Sequence, residues 1–490
     1  MAWTREKALK DITVLTIAQY AVQFFTVLKG FLFGKYLGPE GLGAWASIYL
    51  FFTYGQYCQS GVFSATVILV PKKIGAGEFG EANRYLSSAI TWVNVFGFIF
   101  FLCMVIYVNL SSSKFISLYW FPILIISLAV PIYQNYYFSY YRLQFNHNFK
   151  KSGIYQATFS AFDLVLSFFL LLNFGIMGAC SGMLFSLFII VFLIHKDGYK
   201  DLKFFFDRVT FKELFVQGFQ LLLVAFSFTF ITTVDKFSVA NFFSNTYMGI
   251  FSMASSIAML PYTITTAMNG VIFQRMLEEY GKTNNLESIK IFLREGTTSL
   301  AFLISTVSVL LITFAELLTP LLLPKYIESL NYIGNLSIGI YFLSIGVICC
   351  SFSLVQKKYI TIIFLQVLLA SMVIFCVYFA EKLNIGLQGV SLLTIVNYFL
   401  FAFVLYYFSY KNYLKTTEIL IKFFNIALPV LVIPIAFSMK FIFADKSILL
   451  LIRFGIASVW GVIAYYYLSK HTTIIAQIIM IVKNKFKFEE

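Results

Sequence analysis

Charge is scarce in this chain. Only 12% of its 490 residues are Asp, Glu, Lys or Arg, about half the share found in an ordinary soluble domain. Proline is scarce as well, at nine residues, and so are cysteine, at six, and histidine, at three. The cysteines (Cys58, Cys103, Cys180, Cys349, Cys350, Cys376) all fall in apolar runs without metal-type spacing, so they read as small core residues. The histidines (His147, His195, His471) stand at the ends of such runs with no nucleophile pattern beside them. Neither a catalytic constellation, a metal site nor a cofactor is therefore expected. No gap between apolar runs is long enough for a folded soluble domain. A membrane-embedded glycan polymerase or ligase would need an extracytoplasmic catalytic loop, and the longest outer gap, 320–330, is too short for one. No cleavable signal peptide is expected either, because the start is charged and the first apolar run lacks a small-residue cleavage site.

What the chain has is hydrophobicity, at 60% of its residues. It is arranged in fourteen runs: 11–33, 44–70, 85–108, 117–138, 152–173, 176–195, 213–239, 246–272, 296–319, 331–355, 359–380, 386–409, 418–441 and 447–469. Each is near the roughly 20 residues that cross a hydrocarbon core as a helix. They are too long and too uniformly apolar for barrel strands. The expected fold is all-α and integral to the membrane, with about fourteen transmembrane helices.

The basic residues occupy alternate gaps. With the N-terminus inside, 27 of the 36 Lys and Arg fall in inner gaps and seven at the outer side. This bias places both termini in the cytoplasm. The formal net charge of +14 is spread over these loops as a topology signal, which argues against nucleic acid as a partner.

Shifting the chain by 206 residues lays one half on the other. Gly43 meets Gly249, Gly75 meets Gly281, Glu81 meets Glu287, Arg84 meets Lys290, Thr91 meets Thr297, and Trp45 meets Phe251. The offset carries the first run onto the seventh, so both halves point the same way. Transporters built from such parallel repeats bind substrate between the halves and rock one against the other. The domains expected are a six-helix bundle at 1–198, an interfacial amphipathic linker at 199–212, a second six-helix bundle at 213–410, and a C-terminal helix pair with a basic tail at 411–490.

Three stretches resemble a known family. Phe33-Gly-Lys-Tyr-Leu-Gly-Pro-Glu-Gly-Leu-Gly43 is similar to the loop after the first helix of polysaccharide or O-antigen flippases of the Wzx type. Those belong to the multidrug/oligosaccharidyl-lipid/polysaccharide exporter superfamily. Asp235 followed by Tyr247-Met-Gly249 and Pro261 resembles their seventh and eighth helices, and Glu316 through Tyr326 their outer loop after helix nine. The resemblance implies export of an undecaprenyl-diphosphate-linked oligosaccharide across the bacterial inner membrane by alternating access. Membrane lipids, a polysaccharide polymerase and a chain-length regulator are the other partners it implies. A lipid II flippase or a multidrug antiporter of the same superfamily is the alternative.

Five charged residues within or at the ends of apolar runs are candidates for transport. Thr16, Gln19, Gln23, Thr26 and Lys29 share one arc of the first helix, a polar stripe that ends in a charge. Lys29 is offered to the substrate diphosphate, and Asp235, its repeat equivalent, to a switchable pair with it; Lys236 is a further substrate contact. A permanent structural pair, or a lysine reaching the interface, is the bland reading. Arg453 is able to grip a phosphate bidentately, or to reach the interface, or to pair with Asp445. Asp163 suits ion coupling, with a neutral hydrogen-bonded carboxyl as the alternative. Glu316 reads as interfacial. The aromatic run 133–141 suits a cytoplasmic belt better than a sugar-stacking surface.

Overall fold

A computed structural model describes residues 5–75, 77–145, 148–198, 205, 207–283, 285–383, 385–442 and 446–471. Among these residues every regular element is helical, as lipid requires of a backbone that must satisfy its own hydrogen bonds. The helices are α1 (Arg5–Gly55), α2 (Val62–Gly75), α3 (Phe79–Leu110), α4 (Lys114–Phe145), α5 (Phe149–Gly198), α6 (Arg208–Phe242), α7 (Asn245–Ala258) and α8 (Tyr262–Thr283). Then follow α9 (Leu286–Leu322), α10 (Leu330–Val355), α11 (Tyr359–Lys382), α12 (Gly386–Tyr410), α13 (Thr416–Ala427), α14 (Val432–Ser438) and α15 (Lys446–His471).

Ten helices among the described residues are long and apolar enough to cross a membrane, or eleven if the bent pair α7 and α8 is one span. The chain is a multi-pass membrane protein. The count differs from the fourteen runs because helices continue through run boundaries. One helix, α5, carries both 152–173 and 176–195, with a break at Gly175, where φ is 57°. The run 11–33 lies in α1, and 44–70 is shared by α1, a short 3-10 turn and α2. Gly38 (φ 67°), followed by Pro39, breaks α1; a side chain at Gly38 would strain that left-handed backbone.

Two compact units divide the chain, Met1–Thr229 and Phe230–Glu490. The first half of α6 belongs to the first unit, and packing explains why. Leu214 is buried in one cluster with Val62, Ala65, Ala82, Ala89 and Val93, and Phe211 lies 4.0 Å from Trp92. A Cβ on Gly218 would stand 1.9 Å from the backbone oxygen of Gly61, so α6 meets the turn before α2 only because neither residue has a side chain. Most of the expected linker (199–204 and 206) lies outside the described residues, and Arg208 to Lys212 form the first turns of α6.

The second unit is organised around α10, of whose 26 residues 21 are buried. It packs on α7, α8, α9 and α12. Glycines and serines recur along it, which lets neighbouring backbones approach closely. Cys349 and Cys350 on α10 and Cys180 on α5 are buried as core residues, whereas Cys103 is exposed. Large apolar side chains such as Ile360, Leu451 and Leu110 stand exposed, as lipid-facing residues should.

Replacing Gly218 with valine should overpack the contact with Gly61 and destabilise the protein by about 1–3 kcal/mol. A clear fall in melting temperature in detergent is expected, with Gly270→Ala, at a site with nothing within 4 Å, as the control that does not fall.

Candidate functional site

Lys29 is the only charged side chain in the run 11–33 after Asp11. In the apolar band an ammonium is costly unless it meets water or a partner. The structure supplies the partner from α5. The Lys29 Nζ lies 2.7 and 2.8 Å from the two oxygens of Asp163. Ser167, one turn further along α5, donates to Asp163 Oδ1 at 3.0 Å. The ammonium also sits 5.2 Å from the Phe33 ring and 5.3 Å from the Trp45 ring. Those faces attract a cation electrostatically. The pair is 13% and 18% exposed, so solvent weakens it little while remaining within reach of it. Of the polar stripe that leads to Lys29, Gln19 and Thr26 are exposed and Gln23 is half-buried; the Thr16 side chain lies outside those described.

Lys29 therefore takes Asp163 as its partner in this conformation. Asp235 lies in the other unit and has partners of its own. Its carboxylate is buried, accepts the backbone amide of Lys236 at 2.7 Å and takes a long hydrogen bond of 3.4 Å from the Thr394 hydroxyl. One turn beyond Thr394, the Asn397 side chain donates to the Ile231 carbonyl, and its own oxygen is buried without a hydrogen-bond partner. No cationic side chain lies within ion-pair distance of Asp235 among the described residues. The Lys236 side chain is half-buried beside it. Asp235 and Thr394 thus meet in the interior of the second unit, with Asn397 one turn along the same helix.

Arg453 is not a free phosphate grip. It is fully buried on α15, and its guanidinium forks onto Glu316 of α9. Its Nε donates to the Ala436 carbonyl at 2.7 Å and Nη2 to that of Phe437 at 3.3 Å. With these acceptors in place the group ties α15 and α14 to α9, and four of its five donors are taken. Glu316, read from the sequence as interfacial, is the anchor of that tie at 15% exposure. Asp445 lies outside the described residues. The signal that identifies Glu316 is general: an arginine enclosed in an apolar bundle needs a carboxylate, and few are at hand.

Sequence reasoning also passed over Asp207. This residue accepts from the Thr210 hydroxyl, from the Val209 amide at 3.0 Å, and from Arg84 Nε at 2.8 Å. It caps the start of α6 and ties it to α3. The Thr210 hydroxyl, with the Val209 amide and the Arg84 guanidinium, holds its carboxyl below the ordinary range, although burial works against them. A depressed pKa stabilises the fold above the carboxyl's unfolded value, and that contribution is lost as pH falls through the folded value.

The fold defined by these helices is that of the MOP-superfamily transporters. An inward-facing multidrug resistance MATE family transporter of that superfamily superposes with a TM-score of 0.68 at 17% identity, over 80% of this chain and 94% of its own. The lipid II flippase MurJ, in an inward closed conformation, gives 0.67 at 19% identity, over 94% of this chain and 99% of its own. A MOP superfamily transporter from Pyrococcus furiosus, with a binding pocket of reverse polarity, gives 0.63 at 16% identity, over 84% and 98%. No curated protein matches the sequence. Within this fold the chain belongs to the polysaccharide biosynthesis protein family, whose model matches residues 32–331.

Two measurements check the geometry. Lys29→Ala should destabilise the protein by about 3 kcal/mol, because Asp163 is left charged and enclosed, and adding Asp163→Ala should recover most of the loss. Losses that simply add would contradict the pairing. Asp207→Asn should lower the melting temperature at neutral pH, and the gap to wild type should narrow only as pH falls below about 4.

Proposed function

We propose that the chain is a flippase that carries an undecaprenyl-diphosphate-linked oligosaccharide, a unit of O-antigen, capsule or a related glycan, across the bacterial cytoplasmic membrane by alternating access. The observation that carries this reading is the enclosed Lys29–Asp163 pair in a chain of the polysaccharide biosynthesis family. The substrate's polyprenyl tail is at home in lipid, while its diphosphate needs a cation along the way. Lys29 is that cation. While it is bound to Asp163 its charge is neutralised; the arriving diphosphate takes it over, and Asp163 is left to accept a proton or a cation and so couple the step to a gradient. Asp235 and Lys236 take the corresponding place in the second unit, and Arg453 serves structure.

Fourteen spans in two parallel repeats are part of this reading. Counting the breaks at Gly38 and Gly175 as span ends, and the second half of α1 with α2, α7 with α8, and α13 with α14 as single spans, gives fourteen. The 206-residue offset carries Gly38 onto Ser244, the residue that separates α6 from α7. Both termini then lie in the cytoplasm, in accord with the 27 inner cations. A polymerase and a chain-length regulator would receive the product outside. The lipid II reading has one observation of its own, the 94% coverage of this chain by MurJ, and the same experiment separates the two.

Deleting the gene should cause a lipid-linked oligosaccharide to accumulate on the inner leaflet, and analysis of its sugars identifies the substrate. A peptide-bearing disaccharide would decide for lipid II. Complementation with Lys29→Ala should restore export at least about tenfold less well than wild type, since a charge contact to phosphate is worth that much or more.

A further inference from the structure

The aromatic run 133–141 does not sit at one depth as a belt would. Its rings step along α4 and continue, ring against ring, into α1. From the Lys29 end the order is Phe33, Trp45, Tyr49, Phe52, Tyr133, Tyr137, Tyr141 and Phe145. Successive centroids are 5.1, 5.7, 5.4, 5.2, 5.8, 5.0 and 6.3 Å apart. All eight belong to the first unit. Along their helices the rings from Trp45 to Phe52 and from Tyr133 to Phe145 cover rises of about 10 and about 18 Å, together close to the thickness of a hydrocarbon core.

Simple packing would bury such a ladder throughout; here Phe33 and Phe52 are buried, and the other rings are not fully so. Tyr49 is 38% exposed, and Trp45, Tyr133, Tyr137 and Tyr141 are each partly exposed. Polar groups run beside it. On α5, Gln156, Ser160 and Asp163 follow one another at helical spacing, on the helix whose Phe159 touches Tyr133 and Tyr136. The Gln156 side-chain oxygen is buried without a hydrogen-bond partner. Tyr49 lies within electrostatic reach of Asp163. The Tyr137 and Tyr141 hydroxyls meet at 3.3 Å. Aromatic faces flanked by hydroxyl, amide and carboxylate groups are what the two kinds of sugar surface require. The C–H face of a pyranose carries partial positive charge and stacks on the negative face of a ring, while its hydroxyls take hydrogen bonds.

We propose that this ladder is a carbohydrate track: the pyranose rings of the translocated glycan stack on Tyr49, Tyr133, Tyr137 and Tyr141 in turn, while Lys29, at the ladder's head, holds the diphosphate. The proposal rests on the flippase reading and adds the part of the site that reads the sugars. Contacts that repeat along the path hold each sugar weakly and alike, so the glycan is never trapped at one of them. It follows that the ladder matters in proportion to the number of sugars carried.

The test reconstitutes the full-length protein in liposomes with two probes, a polyprenyl diphosphate bearing one N-acetylhexosamine and the same lipid bearing five sugars. The readout is the ratio of their flipping rates, five-sugar over one-sugar. Tyr133→Leu with Tyr137→Leu should lower that ratio about tenfold, the scale of losing an aromatic stacking partner, and phenylalanine at both positions should bring it back. Tyr49→Leu, at the most exposed ring of the ladder, should lower it in the same direction and stands in should the double variant fail to fold. Variants that slow both lipids equally, or neither, would overturn the track while leaving the flippase reading intact. Wild-type protein that moves neither lipid would overturn that reading and the track with it.

Discussion

The account depends on an ion pair enclosed among apolar helices. In water the attraction between Lys29 and Asp163 would be weak; in a low-dielectric bundle neither charge is tolerable without the other. That mutual dependence gives the pair two properties at once. It holds α1 to α5 in the resting protein. In the proposed function it also serves as a switch, because any anion able to take Lys29 leaves Asp163 in need of a proton or a cation. Two faces, Phe33 and Trp45, help to hold the ammonium in place.

The tie at Arg453 is a useful contrast. There the guanidinium is fully buried, and a carboxylate and two carbonyls take up its donors. With no solvent and four of its five donors taken, such a group fastens helices. Lys29 differs in having two oxygens from a single side chain and a small but real exposure to solvent. The comparison shows two cations, both isolated in apolar sequence, held in different surroundings.

Much of the fold was legible in the sequence, for a physical reason. Lipid imposes a length and a hydropathy on every span, and Gly-Pro at positions 38 and 39 announces a break wherever it stands. The isolated charges were legible as well, because each is an exception to the solvent. Their partners were not. Lys29 and Asp163 are 134 residues apart, Arg453 and Glu316 137, and Arg84 and Asp207 123. Helical periodicity tells which face a residue occupies, but not which helix lies opposite. The same limit hid the ladder: the tyrosines of α4 were visible as a run, yet their continuation onto Phe52 and Trp45 depends on how α4 meets α1. The split of α6 between two units was hidden too, since it turns on a contact between Gly61 and Gly218 that leaves no periodic trace.

The central claim, that the pair opens when substrate arrives, is open to direct spectroscopy. Infrared difference spectra of the full-length protein, recorded with and without the lipid-linked oligosaccharide that accumulates in the deletion strain, would follow the Asp163 carboxylate through Lys29's departure. The account predicts that the carboxylate band shifts when the lipid is added and that Asp163→Asn removes the shift. Identical carboxylate bands with and without a lipid that the protein demonstrably flips would contradict it.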